Sequence, residues 1–432
     1  MKGLRLYLPP FAPDDAGAAS VLHPLGGLVT ILDAGGCAGN LCGFDEPRFK
    51  ENLPTPGAAT MPPTDRDHDR FVAETEVPSR CKTNLREDGD FHKKSFSDAS
   101  EASASVDFVE SPRLTATTND LRDHVPSSAS IVLSAALRDM DAILGRDTQL
   151  LQKLTTAAET LEAAGRALPF LALIGTPVPA VIGTDLPALS RLLEQRLHLP
   201  TLPIETDGTQ PYDTGIAKTY QALFSRFARI PNSVRPQAGT IGVLGATTLD
   251  LGNLSADTLR ARLQTQKGNH FRLYGMDHDL SAYIKASENE RNLVIAPSGL
   301  TAARWLQRTF GTPYDIAYPL AARDLAPIEN DLPRTANHIL ILHQQIAANA
   351  IRDLLQPRYP HARITCATYF TLNGAIAQPQ DQKLREETDL PALIQKHPYD
   401  LILGDPLYHR ALPDYKGTYL PLPHPAVSGF PE

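Results

Sequence analysis

The sequence predicts an α/β fold of several domains built on parallel sheets, and three observations carry that expectation. Short apolar runs bounded by glycine recur along the 432 residues, and stretches with helical patterning lie between or after them. Repetition of strand, glycine turn and helix is what parallel sheets with crossover helices require. Apolar residues make up 42% and charged residues 21%, so a chain of this length can bury two or three cores of ordinary size.

In chain order the strand-like runs are GGLVTILDAGG (26–36), PFLALIGTPVPAVIG (169–183), GTIGVLGAT (239–247), NLVIAPSG (292–299), HILILHQQ (338–345) and DLILGDP (400–406). Helices are expected over 147–168, which is rich in Ala and Leu, and over 185–197. There Asp185 suits the N-cap and Pro187 the first turn. Two more are expected, one from Ser298 to Gly311 and one from 345 to a proline at 357. The rhythm breaks from about Lys50 to Ser127, where Pro, Ser, Thr, Asp and Glu dominate and core-forming residues are few. Such a composition predicts a flexible polar insertion. The expected division is a first α/β domain from 1–49 and 128–235, the insertion at 50–127, a second domain at 236–335 and a third at 336–432.

A net charge of −8 argues against a nucleic-acid binder, which needs a clustered positive surface. No apolar run approaches the roughly 18–20 residues of a membrane span. The N-terminus lacks a secretory h-region, and four cysteines are too few for a disulfide scaffold. A cytoplasmic, reducing location is expected, where paired cysteines more often serve metal or redox chemistry.

Two of the four cysteines, Cys37 and Cys42, stand in ILDAGGCAGNLCGFDEPRF (31–49). Gly35, Gly36, Gly39 and Gly43 surround them. They allow backbone to approach a bulky ligand and offer N–H groups to cluster sulfides. Thiolate is the ligand that iron–sulfur clusters take, but two cysteines are half of the usual set of four. On spacing alone, ligation, packing and thiol redox chemistry stay open. Cys366, in the strand-like ARITCATYF, reads as core; Cys81, His68 and His92 in the insertion lack tight metal-ligand spacing.

GTIGVLG (239–245) is not GxGxxG and reads as a tight strand-to-helix turn. No GxxxxGK[ST] loop and no GxSxG elbow occur. Ser298 reads as a helix cap, His338 and His343 as structural residues flanking a strand, and MDHDL (276–280) as an exposed polar turn. His424, set between prolines in LPLPHPAVSGFPE, is held in stiff backbone and is a candidate for a ligand pocket.

The order of these motifs resembles the nitrogenase component 1 family, which also contains the dark-operative protochlorophyllide and chlorophyllide reductases and the F430-biosynthesis reductase. The segments carrying the resemblance are 8–49 with its glycine–cysteine turn, LRDMDAILGRDTQLLQKL (137–154), 172–208, RNLVIAPSGLTAARWLQRTFGTPY (291–314) and LPLPHPAVSG (420–429). The resemblance implies three Rossmann-like domains and a subunit of a cytoplasmic reductase. It implies a cluster, of [4Fe–4S] type, shared between two related subunits, with Cys37 and Cys42 as its ligands from this chain. Its electron donor would be a separate ATP-driven iron protein, which fits the missing P-loop. The departures point away from nitrogenase itself. Of the three cysteines that a nitrogenase subunit gives to its interfacial cluster, only Cys37 has a counterpart; the other positions fall near Ala19 and at Thr176–Pro177. The place of the cofactor-holding cysteine reads Ala296, and His424 stands at the place of the cofactor's histidine. A tetrapyrrole or another metal cofactor would suit such a pocket. The rival reading is a non-catalytic scaffold or carrier for assembly of a metal cofactor.

Overall fold

The structure is a computed structural model that describes residues 8, 11–32, 129–135, 147–229, 236–264 and 268–429. They belong to one unit, Met1–Asp45 with Phe108–Glu432; a second unit, Glu46–Asp107, falls outside the described residues. The polar stretch 50–127 is therefore outside them, as are Gly35, Gly36, Cys37, Gly39, Cys42 and Gly43.

Among the described residues three sheets follow one another, and every strand pair in them is parallel. The first holds β1 (Leu28–Ile31), β2 (Ile131–Ser134), β3 (Leu171–Ile174) and β4 (Thr201–Ile204), in the order β2-β1-β3-β4. The second holds β5 (Gln237–Leu244), β6 (His270–Leu273), β7 (Asn289–Val294) and β8 (Tyr314–Ile316), in the order β6-β5-β7-β8. The third holds β9 (His338–Leu342), β10 (Arg363–Thr368), β11 (Gln382–Lys383), β12 (Leu401–Gly404) and β13 (Thr418–Pro421), in the order β11-β10-β9-β12-β13. This is the three-sheet α/β fold read from the sequence.

The central strands of the first and third sheets, β1, β3, β9 and β12, are buried on both faces, which is why they are near-continuous apolar runs. In the first, Leu28, Leu171 and Leu173 pack on one side with Leu154 of the helix Asp147–Ala163 and Leu189 and Leu193 of the helix Leu186–Leu197. Val29, Ile31, Ala172 and Ile174, the alternate residues, enter a second cluster that continues through the other two sheets. The helix Leu186–Leu197 starts as its cap predicts, with the Asp185 carboxylate accepting Ala188 N–H at 2.8 Å.

Two sequence expectations need correction. The run 169–183 is not one strand, because Pro177–Ile182 is a short helix closed by Gly183 at φ 73°. Pro177 at its first turn presets helical φ, and Val181, 86% exposed, cannot line a buried strand. Ser298 is not a cap either: it lies in the turn Pro297–Gly299, and the helix Leu300–Phe310 follows without a side-chain cap.

The contact that places the candidate site is a crossing of two helices, Asp14–Leu22 and Tyr212–Phe227. A Cβ on Gly17 would lie 1.9 Å from the Tyr212 carbonyl oxygen, and one on Gly215 would lie 1.7 Å from that of Asp14. Backbone meets backbone there, so neither position has room for a methyl group. Gly215→Ala is expected to destabilise the fold by about 1–3 kcal/mol through overpacking, read as a lowered urea midpoint. A midpoint equal to that of the unaltered chain would show that the helices part without cost.

Candidate functional site

Each strand order reverses direction once: between β1 and β3, between β5 and β7, and between β9 and β12. Loops leaving the carboxyl ends of such strands diverge to opposite faces, and ligands of open α/β sheets bind there. The first reversal leads into the cysteine turn, whose side chains lie outside the described residues. What is described is its frame. Thr176 Oγ1 donates to the Leu32 carbonyl at 2.6 Å, and Thr206 Oγ1 donates to that of Gly175 at 2.6 Å.

The loops at the second and third reversals meet. Gln344, just past β9, donates from Nε2 to the Ile295 carbonyl just past β7, at 3.0 Å. Around this contact lies a buried polar cluster. His424, fully buried, precedes the short helix Pro425–Ser428 and accepts Ala426 N–H on Nδ1 at 3.2 Å. Its Nε2 lies 3.3 Å from Tyr212 Oη. Tyr212 donates to Asp250 Oδ1 at 2.7 Å, and Thr247 donates to Asp250 Oδ2 at 2.9 Å. Asp405, just past β12, accepts His424 N–H at 2.8 Å and the Ser428 hydroxyl at 2.7 Å. The rings of Phe370 and His343 flank His424 at centroid distances of 4.7 and 4.6 Å.

Burial sets the charge states here. It pushes the Asp250 carboxyl up to about 7, against the lowering effect of the Tyr212 and Thr247 hydroxyls. Burial drives His343 down to about 4 and His424 well below its usual range, the neighbouring His343 adding to the latter. Both imidazoles are thus neutral near pH 7. His343 Nδ1 and Ser298 Oγ are buried without a hydrogen-bond partner, a cost of about 1–3 kcal/mol for each such group.

His424, the described member of the sequence-read site, therefore sits inside a packed cluster. Ala296, at the second reversal, is fully buried, and a Cβ on Gly245 would lie 2.7 Å from its methyl group. Cys366 lies in β10, buried, with its thiol pushed far up by burial. MDHDL forms a turn, in which Asp277 accepts Leu273 N–H and pairs with Arg260 while Asp279 accepts Ser281 N–H. Among the described residues no group of three or more His, Cys, Asp or Glu is set to hold a metal ion, and no helix is long and apolar enough to cross a membrane. Sequence reasoning missed Tyr212 and Asp250. Neither sits in a motif, and only the crossing at Gly17 and Gly215 brings the tyrosine to the carboxylate.

Asp250 binds its proton more tightly in the folded chain than at its ordinary 3.8. The stability this confers is complete below pH about 4 and is lost as pH rises through about 7. His343 acts in the opposite sense, its contribution being lost as pH falls through about 4, but it cancels when a variant is compared with its parent. Asp250→Asn should therefore gain stability relative to the parent between pH 5 and 8, by at most about 1.4 kcal/mol per pH unit. Urea denaturation at both pH values measures it; a difference that does not change with pH would contradict it.

Residues 113–323 match the family described as "Nitrogenase component 1 type Oxidoreductase". Among solved structures the fold is similar to "Nitrogenase Cp1 at pH 6.5", with a TM-score of 0.58 at 11% identity, over 98% of this chain and 87% of that one. It is also similar to "Nitrogenase Cp1 at pH 5", with a TM-score of 0.56 at 10% identity, over 100% and 86%. No curated protein matches in sequence. The resemblance read from the motifs is supported: residues 113–323 match the nitrogenase component 1 type family, and the fold is similar to that of the nitrogenase structures over nearly the whole chain.

Proposed function

We propose that this chain is a subunit of a nitrogenase-like reductase complex that receives electrons through an iron–sulfur cluster shared with a related subunit. The observation that supports this most is positional. The chain leaves β1 at a strand-order reversal and then runs directly into the segment holding Cys37 and Cys42. In this reading Cys37 and Cys42 ligate the cluster, of [4Fe–4S] type, with Gly35, Gly36, Gly39 and Gly43 shaping the turn. A second chain of the same kind completes the four thiolates, as a homo- or hetero-oligomer. When bound, the cluster supplies single electrons; an ATP-dependent iron protein is the proposed donor, and the cytoplasm the proposed location. The three sheets are proposed as the cores of three domains, divided near 235/236 and 335/336.

His424 is the proposed cofactor-facing residue of the pocket, and the structure limits what it can hold. Both its ring nitrogens are engaged, and Ala296 brings no thiolate beside it. The described residues do not fit a metal centre anchored by a cysteine and a histidine. The second reading is a non-catalytic scaffold or carrier for assembly of a metal cofactor.

Anaerobic co-expression with a neighbouring family subunit, followed by iron and sulfide analysis and low-temperature EPR after dithionite reduction, separates these readings. The reductase reading predicts a reducible [4Fe–4S] signal that Cys37→Ala/Cys42→Ala abolishes. Iron-free protein in every combination would sink it and leave the scaffold.

A further inference from the structure

Asp250 lies where several elements meet. The short helix that carries it, Thr248–Leu251, packs on both Pro425–Ser428 and Asp14–Leu22. Its carboxylate takes the hydroxyl of Tyr212, the first residue of the helix Tyr212–Phe227, and that of Thr247. The other titratable groups that face it are the Asp213 carboxyl and the phenols of Tyr220 and Tyr318, with His424 beyond Tyr212. The remaining carboxylates of the packed elements are turned elsewhere. Asp14 accepts Gly208 N–H and pairs with Lys218, Asp15 accepts Ala16 N–H, and Asp405 accepts His424 N–H and the Ser428 hydroxyl. Lys383 offsets the charge of Asp213, whereas both bonds to Asp250 come from neutral hydroxyls.

We propose that Asp250 is a proton-operated latch for this junction. With its carboxyl protonated, Pro425–Ser428 and the first turn at Tyr212 stay closed over it; with its carboxyl ionised, they open locally and admit water. A hydroxyl accepts as well as donates, so Thr247 can take the acid proton and both forms keep their partners. The two forms differ in charge. Ionisation strengthens both hydroxyl bonds, but two neutral donors do not offset a buried charge, and burial holds this carboxyl up to about 7. The closed state is therefore favoured in full below pH about 4 and loses ground as pH rises through about 7. Displacing a four-residue helix brings water to the carboxylate with the least disruption. Its ties to the rest of the chain include the Ser428 hydroxyl to Asp405 and Ala12 N–H to Ala426 O. The latch goes beyond the reductase reading and does not rest on it.

Amide hydrogen exchange of the full-length chain, resolved by peptide mass spectrometry and corrected for the intrinsic rate at each pH, reads the opening. Protection of peptides spanning 211–214 and 422–429 should fall at least about tenfold from pH 5 to pH 7.5, while that of β1 and β3 changes less than about threefold. Asp250→Asn, neutral at every pH, should flatten the fall. Tyr212→Phe removes a donor that favours the carboxylate, so the midpoint of the fall should move up by at least about half a pH unit. Equal protection at both pH values in the unaltered chain overturns the latch without any variant, so failure of a variant to fold does not rescue it. A fall shared equally by all peptides also overturns it, because that marks global unfolding and not a local opening. The readout needs no cluster, so iron-free protein in the EPR experiment would leave it standing, and the converse holds.

Discussion

The approach of two helix backbones through Gly17 and Gly215 is the constraint on which the site depends. Because no side chain separates Asp14–Leu22 from Tyr212–Phe227, the first residue of the latter helix reaches the carboxyl ends of both later sheets. Its hydroxyl touches Asp250, which follows β5, and His424, which follows β13. One buried side chain thus links the elements between β4 and β5 to both later sheets. The main-chain bonds Tyr212 N–H to Ala12 O and Ala12 N–H to Ala426 O tie the same elements together.

Among the described residues, the hydrogen-bond partners of Asp250 in this core are hydroxyls and not cations. Asp250 is served by two hydroxyls, whereas the buried carboxylate of Asp381 in the third-sheet region is paired with Arg352 at 2.7 Å. An ion pair fixes charge over a wide pH range. Hydroxyl donors to a buried carboxylate leave its proton exchangeable near neutrality. The uncompensated Nδ1 of His343 belongs to the same picture, being a buried polar atom retained where an apolar side chain would pack without penalty.

Much of the fold was legible because parallel strands buried on both faces must be apolar throughout. β1, β3, β9 and β12 lie within runs read from the sequence, and β5 and β7 overlap theirs, starting two and three residues earlier. β4 and β13 were not foreseen: TLPI and TYLP each carry a proline, which argues against a central strand, and both are tolerated because these are edge strands. The helix Pro177–Ile182 was read as strand because its apolar residues resemble a buried run, yet of these only Pro179 is buried. His424 was legible from its prolines and from the family resemblance. Tyr212 and Asp250 were not, because they come together only through tertiary packing across 38 positions of sequence. His343 was read as structural, and its burial agrees, but no sequence signal announces that Nδ1 would lack a partner.

The central claim is that Cys37 and Cys42 hold iron between two chains of this kind. Anomalous scattering at the iron absorption edge, from crystals of the complex grown without oxygen, tests it most directly. The account predicts an iron peak at the subunit boundary within bonding distance of both sulfurs. A boundary free of iron, with the two thiols packed against protein atoms, would contradict it.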